Sequence, residues 1–421
     1  MSQVCLCYKP LIHSVNVETD LQSMETSRIE VLEVNKNSET FIDDKIKERN
    51  FGSEVPFYVG NLDSVFEKHQ KWQTLLPRVT PFYAVKCNNN LPFSGRSVHW
   101  EQVLTVPVKE LEMVMSIGVT PDKIIYAHTT KPQTHIRYAC AQGVDMMTFD
   151  NEEELLKITR GHPNAKLLLR IAVDDSKSQV KLSTKFGATL GTVGSLLKRA
   201  NELDLDVKGV SFHVGSLCTD SVAYRWAIEE AHHVFEQAVR FSGHGLECGV
   251  RVIAEPGRYF VDSAFTLALN VFARKKVWNG NGLDTMIMYY VTDGLHGAFG
   301  INKLHPDIKP FVLRPHRVMS VTEPRYQSVI WGPTCDSADR IMDVWMPELN
   351  IGDWILVDNV GAYTIQCVNS WITSTLEQVV QYQLATDHSR ESGLVWGKRQ
   401  LTYLKTQLPT FQMFPGGLLL T

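Results

Sequence analysis

Asp145-Met146-Met147-Thr148-Phe149, the run 151–160, and Lys166-Leu167-Leu168-Leu169-Arg170-Ile171-Ala172 form the stretch from which the fold is read. The outer two runs are short, apolar and of strand length. Between them Leu155, Leu156 and Ile158 alternate with Glu152, Glu153, Glu154 and Lys157 at helical spacing, and Asp150 or Asn151 supplies a cap. Strand, helix, strand at this interval predicts a parallel pair with the helix outside.

The same rhythm extends in both directions. Runs at 55–59, 81–86, 123–126, 209–214 and 251–254 read as strands, and 193–203 and 221–240 as helices. The repetition favours a (β/α) barrel over an open sheet, with functional residues at the strand C-terminal ends. From about 262 the pattern changes to strands without long helices between them, at 265–271, 286–292, 327–332 and 353–358, with Asn279-Gly280-Asn281-Gly282 as a hairpin turn. The expected order is a polar N-terminal segment over 1–50, a barrel over 51–262, a mainly β domain over 263–375 and a divergent tail over 376–421.

With 421 residues, 44% of them hydrophobic, the chain can build two or three cored domains. Forty-two Lys+Arg against 46 Asp+Glu leave a net charge of −4 without long like-charged blocks, which argues against a nucleic-acid or membrane surface and for small-molecule chemistry. The eight cysteines are scattered without a CxxC pair, so a reducing, cytoplasmic setting is expected. Cys5-x-Cys7 stands alone near a terminus, and the adjacent His232 and His233 point about 100° apart on a helix, so no metal site is expected.

Lys86 ends the apolar run Pro81-Phe82-Tyr83-Ala84-Val85-Lys86 and would point into a barrel mouth, where desolvation would make it a Schiff-base nucleophile; a lysine there can also simply snorkel to water. Other strand ends carry His213 in Ser211-Phe212-His213-Val214-Gly215-Ser216, and Glu255 with Arg258 in Ala254-Glu255-Pro256-Gly257-Arg258-Tyr259. His213 could be a hydrogen-bonded core histidine, and Glu255 could form a structural ion pair with Arg258. Together the four supply what pyridoxal phosphate requires: an amine for the aldehyde, a carboxylate for the pyridine nitrogen, a flat group for the ring and a cation for the phosphate.

Those motifs, with Trp331-Gly332-Pro333-Thr334-Cys335-Asp336, Arg170-Ile171-Ala172-Val173-Asp174-Asp175-Ser176-Lys177 and Lys185-Phe186-Gly187-Ala188, resemble the signatures of the eukaryotic ornithine decarboxylase and antizyme inhibitor family. The resemblance implies a (β/α)8-type barrel followed by a mainly β C-terminal domain, and a homodimer with shared active sites. It implies pyridoxal 5'-phosphate held by Lys86, His213, Ser216, Glu255, Arg258, Tyr363 and Arg170. It further implies Cys335 as proton donor after carbon dioxide leaves, Asp336 as partner of the distal ammonium of L-ornithine, and putrescine as product. The alternative within the family is an inactive, antizyme-binding protein. The antizyme-facing region maps onto about 133–156, where Lys131, His135 and Arg137 could meet an acidic partner or form a solvated face.

Several departures touch functional places. Only 241–249 separate the helix ending near Arg240 from the strand at Arg251, so one βα unit and the family's glycine-rich phosphate loop are missing. Leu217 stands where the family has a glycine, Leu104-Thr105-Val106-Pro107-Val108 replaces a segment with a carboxylate, His296 replaces a tyrosine, and Leu304-His305 replaces a Tyr-Asp pair. At most seven barrel strands remain, which puts closure in question because tilt and shear depend on strand number.

Overall fold

The computed structural model describes residues 29–32, 37–49, 53–90, 103–105, 108–242, 250–278, 285–300, 310–313, 322–364 and 380–386. In chain order, β1 (Ile29–Leu32), α1 (Ser38–Arg49) and β2 (Phe57–Asn61) lead to α2 (Leu62–Leu75), β3 (Val79–Pro81), β4 (Tyr83–Ala84), β5 (Val103–Thr105), α3 (Val108–Ser116) and β6 (Ile124–Tyr126). There follow α4 (Gln133–Ala141), β7 (Met146–Phe149), α5 (Glu152–Gly161), β8 (Lys166–Arg170), β9 (Ser178–Val180), α6 (Leu190–Glu202), β10 (Asp206–Ser211), β11 (Ser216–Cys218), α7 (Val222–Ser242) and β12 (Val252–Ala254). The last part is β: β13 (Phe265–Trp278), β14 (Thr285–Val291), β15 (Pro310–Leu313), β16 (Arg325–Trp331), β17 (Arg340–Pro347), β18 (Trp354–Asp358) and β19 (Val380–Thr386).

Helix starts follow local capping chemistry. Asn151 Oδ1 accepts the Glu154 N–H at 2.9 Å, three glutamates fill the first turn of α5, and Leu155 and Ile158 face the core. Asn61 caps α2 in the same way, accepting from Asp63 at 2.9 Å.

The barrel sheet runs β4-β5-β6-β7-β8-β10, parallel throughout. β12 pairs in parallel with β3, and the Phe82 N–H donates to the Ala254 carbonyl at 2.8 Å, so 79–84 acts as one strand between β12 and β5. The curled sheet thus has seven strand positions. Among the described residues no ladder joins β10 to β12, the place where the sequence lacks a βα unit; 243–249 lie outside the described residues. Beside this seam α7 leaves Val222, Tyr224, Trp226 and Ile228 exposed.

Strand alternation sorts the barrel side chains. Tyr83, Val85, Tyr126, Met147, Phe149, Leu167, Leu169, Val210 and Phe212 join the large core beneath the helices, whereas Phe82, Ala84, Ile125, Leu168 and Ile253 pack together inside the barrel. The β domain alternates likewise. Phe57, Val59, Ala268, Trp354 and Leu356 pack against Phe41, Ile42 and Ile46 of α1, while Tyr58, Leu267, Leu269 and Val357 belong to the core shared with the barrel.

Element boundaries differ from the sequence reading in one respect. β2, expected to open the barrel, pairs antiparallel with β13 and parallel with β19. The segment 1–50 and the tail from 376 contribute β1, α1 and β19 to the same layer. A central β-domain strand needs partners on both edges, and distant segments of the chain supply them. No helix among the described residues is long and apolar enough to cross a membrane.

Candidate active site

The interior face of the barrel carries the site. Continuing each inner row by two residues from Ala84, Thr148, Leu168 and Ile253 leads to Lys86, Asp150, Arg170 and Glu255 at the strand C-terminal ends, and Ser211 leads to His213. The strand end at Lys86 tightens into a single helical turn, Val85–Cys87, which leaves the Lys86 side chain exposed at the mouth rather than desolvated as expected.

Electrostatics ties these ends together. Desolvation pushes the Glu255 carboxyl up to about 7, against the opposing pull of Lys86 and Arg170. Burial lowers the Arg170 guanidinium, partly offset by Glu255 and Asp150. Burial, with Arg170 and Lys86 nearby, holds the His213 imidazole down at about 4, so it is neutral at pH 7. Its Nδ1 accepts the Gly215 N–H at 2.9 Å, which assigns the ring proton to Nε2. The cations that act on Glu255 are thus Lys86 and Arg170. Arg258 lies over the Tyr363 ring at 5.4 Å from its centroid. The Tyr363 N–H donates to the Cys87 carbonyl at 2.8 Å, which places this pair beside Lys86. The buried Cys87 thiol is pushed up to about 12, chiefly by desolvation, which leaves it an inert core group.

Ser216 is exposed on β11, opposite Val180 of β9. The turn before it requires glycine: Gly215 has φ +89°, and a Cβ there would meet Ser178 Cβ at 2.5 Å. Leu217 adopts φ +55°, a left-handed conformation that is costly for leucine and natural for the glycine of the family pattern. Tyr363 is likewise left-handed at φ +59°.

Cys335 and Asp336 occupy a different place. Both are exposed on the loop between β16 and β17, where Asp336 Oδ2 lies 2.9 Å from His296 Nε2. The structure thus brings together Lys86, Arg170, His213 and Glu255, with Arg258 and Tyr363 beside them, and leaves Cys335 and Asp336 on the β domain. Leu304-His305 lies outside the described residues.

Sequence reasoning missed His128, Asp150 and Phe186. Phe186 is flanked by Arg170 at 5.2 Å, Lys185 at 5.0 Å and the edge-on ring of His128 at 5.9 Å. Burial, with Lys131 and Lys86 nearby, lowers the His128 imidazole. Asp150 is not the cap of α5: its Oδ2 accepts the Gly187 N–H at 2.9 Å and fastens the loop that carries Phe186. The available signal was position, since His128 and Asp150 follow β6 and β7 directly.

The basic face around 131–137 is also corrected. The Lys131 ammonium is fully buried, 2.8 Å from Glu154 Oε1 and donating to the Thr148 carbonyl at 2.7 Å. His135 Nδ1 is 3.0 Å from the Tyr126 hydroxyl. Of the three, Arg137 alone is exposed.

Comparisons with known proteins agree with this architecture. Residues 62–249 match the family model for the pyridoxal binding domain of pyridoxal-dependent decarboxylases. Rat ornithine decarboxylase is 41% identical over 388 residues, 81% of this chain and 84% of that protein. Antizyme inhibitor 2 of Xenopus laevis is 44% identical over 355 residues, 73% of this chain and 77% of that protein. The crystal structure of Paramecium bursaria Chlorella virus arginine decarboxylase bound to agmatine superposes with a TM-score of 0.74 at 32% identity, covering 82% of this chain and 99% of that one. The chain belongs to the pyridoxal-dependent decarboxylase family that includes the ornithine decarboxylases and the antizyme inhibitors.

Proposed function

We propose that this chain binds pyridoxal 5'-phosphate through Lys86 and, as a cytoplasmic homodimer, decarboxylates L-ornithine to putrescine. The observation that carries the reading is the convergence of Lys86, Arg170, His213 and Glu255 on one barrel mouth, with Glu255 desolvated and under the influence of two cations. The residues present fit the ring end of the cofactor. A carboxyl raised to about 7 is suited to a cationic ring N–H, which would restore its ionised form. The inner-row Thr148 and Ser211 hydroxyl oxygens are buried without a hydrogen-bond partner among the described residues, so unused polar capacity lies below it. Free thiols at Cys87, Cys140, Cys218 and Cys335 suit a reducing compartment.

When bound, pyridoxal phosphate supplies a protonated pyridine ring that takes up the electron pair left as carbon dioxide departs. Lys86 would hold the aldehyde carbon, and Glu255 would hold the proton at the ring nitrogen. Arg170 favours the ionised form of Glu255. His213, neutral and with its proton on Nε2, offers a flat face without competing for Glu255. Arg258, Tyr363 and Ser216 would hold the phosphate. Cys335 of a second copy would return a proton to the reacting carbon, and Asp336 of that copy would take the distal ammonium.

Borohydride reduction with added pyridoxal phosphate, followed by mass spectrometry, tests the reading. A phosphopyridoxyl group on Lys86, absent from Lys86→Ala, together with putrescine formation from ornithine, is the expected result. A folded sample without the adduct sinks it.

Two observations favour a second reading, a non-catalytic antizyme-binding protein: the seam between β10 and β12, where the phosphate loop is missing, and the strained Leu217. With Lys131 buried, antizyme binding through 133–156 would rest on Arg137 as its exposed cation. Binding that survives Arg137→Glu would count against this surface.

A further inference from the structure

Two buried carboxylates order the turn that carries His296, and one of them, Asp339, fastens it to the loop that carries Asp336. Asp293 Oδ1 accepts the N–H groups of Gly294 at 2.7 Å and Ala298 at 3.2 Å. Asp339, 1% exposed, accepts the Leu295 N–H at 2.7 Å with Oδ1; with Oδ2 it accepts the Thr334 N–H at 3.1 Å and the Thr334 hydroxyl at 2.7 Å. Gly294 and Gly332 close on this carboxylate, and a Cβ at either would strike it. Bonds from both segments converge on one buried side chain, so the spacing between residues 295 and 334 is fixed by the core.

On this frame His296 Nε2 meets Asp336 Oδ2 at 2.9 Å, while Asp336 Oδ1 accepts the Ala338 N–H at 2.9 Å. Both oxygens of the carboxylate are therefore engaged within the chain. An incoming ammonium gains most from a carboxylate whose oxygens are open, and a donor already seated on Oδ2 removes part of that gain.

We infer that His296 competes with the amine end of the substrate for Asp336 and so sets how strongly the site takes a diamine or basic amino acid. The inference rests on the reading of Asp336 as the partner of the distal ammonium. His296 acts here as a positioning residue through Asp336, on a turn held in place by Asp293 and Asp339.

Calorimetric titration of the full chain with putrescine, in the presence of pyridoxal phosphate, tests it. His296→Ala should tighten binding on the order of tenfold, the value of one charge-assisted hydrogen bond. His296→Gln keeps an N–H donor at the position and should stay near wild type, an outcome that general loosening of the turn would not give. Asp336→Asn should weaken binding and erase the gain from His296→Ala. If His296→Ala binds no tighter while Asp336→Asn still loses affinity, the competition is overturned and the reading of Asp336 stands. Asp336→Asn without effect in either background overturns both, as does a lack of putrescine binding in wild type and His296→Ala alike.

Discussion

The backbone N–H of Gly215 donates to Nδ1 of His213 at 2.9 Å, and this bond fixes both the tautomer and the direction of the imidazole at the barrel mouth. Gly215 can make it because it adopts φ +89° against Ser178, whose hydroxyl donates to the Val214 carbonyl at 2.5 Å. Gly215→Ala introduces a Cβ into Ser178 and strains the backbone. We expect a loss of about 1–3 kcal/mol in denaturant unfolding and weaker pyridoxal phosphate binding. A variant as stable as wild type would show that the turn can be rebuilt.

The Glu255 carboxyl is raised to about 7 from 4.5, so the cofactor-free folded chain binds a proton there that the unfolded chain has released. Its contribution therefore falls as pH rises from about 4.5 to 7 and stays low above that. His213, lowered from 6.5 to about 4, contributes in the opposite sense, losing stability as pH falls below 6.5, so the two partly cancel in wild type. Glu255→Gln isolates the first. It should stabilise the cofactor-free protein at pH 8 by on the order of 1–3 kcal/mol, converge with wild type near pH 4.5, and weaken cofactor binding. Unfolding curves across that range decide it.

Leu217 sits at φ +55° next to the exposed Ser216. Left-handed leucine costs about 1–2 kcal/mol, and glycine returns part of that as unfolded-state entropy. Leu217→Gly should gain about 0.5–1 kcal/mol in stability and tighten cofactor binding. Denaturant midpoints and cofactor titrations report the two effects separately.

Lys131 and Glu154 form a buried pair, with Lys157 donating to Glu154 Oε2 at 2.5 Å from its more exposed side. Lys131→Met leaves Glu154 with one cation and the Thr148 carbonyl without its donor. A loss of about 2–4 kcal/mol in unfolding free energy is expected, the range for breaking a buried pair with partial compensation. An unchanged value would mean that Lys157 or water replaces the ammonium.

The strand and helix pattern of the barrel was legible because alternation and capping act over a few residues. The runs at 123–126, 145–149 and 166–172 contain the strands Ile124–Tyr126, Met146–Phe149 and Lys166–Arg170, α5 begins at its asparagine cap, and β12 ends on the Glu255 motif. The limit of seven barrel strands came from the family resemblance and the short 241–249 interval, but not which seven: 55–59 was read with the barrel, and the strand Val103–Thr105 was not read at all. Position in the layers was not legible. Phe57–Asn61 reads as the first strand of a repeating unit, yet it is claimed by β13 and β19, whose residues lie more than 200 positions away.

By itself, the sequence determined that Lys86, His213 and Glu255 stand at strand ends, because the length and pattern of an apolar run are properties of the local backbone. Only the tertiary structure decided which of them face one another. Lys86 and Arg170 act on Glu255, Lys131 turns inward onto Glu154, and His296 closes on Asp336. The reason is electrostatic: a charge's partner and protonation depend on burial and on neighbours brought from distant segments, and neither is written in the spacing of residues along the chain.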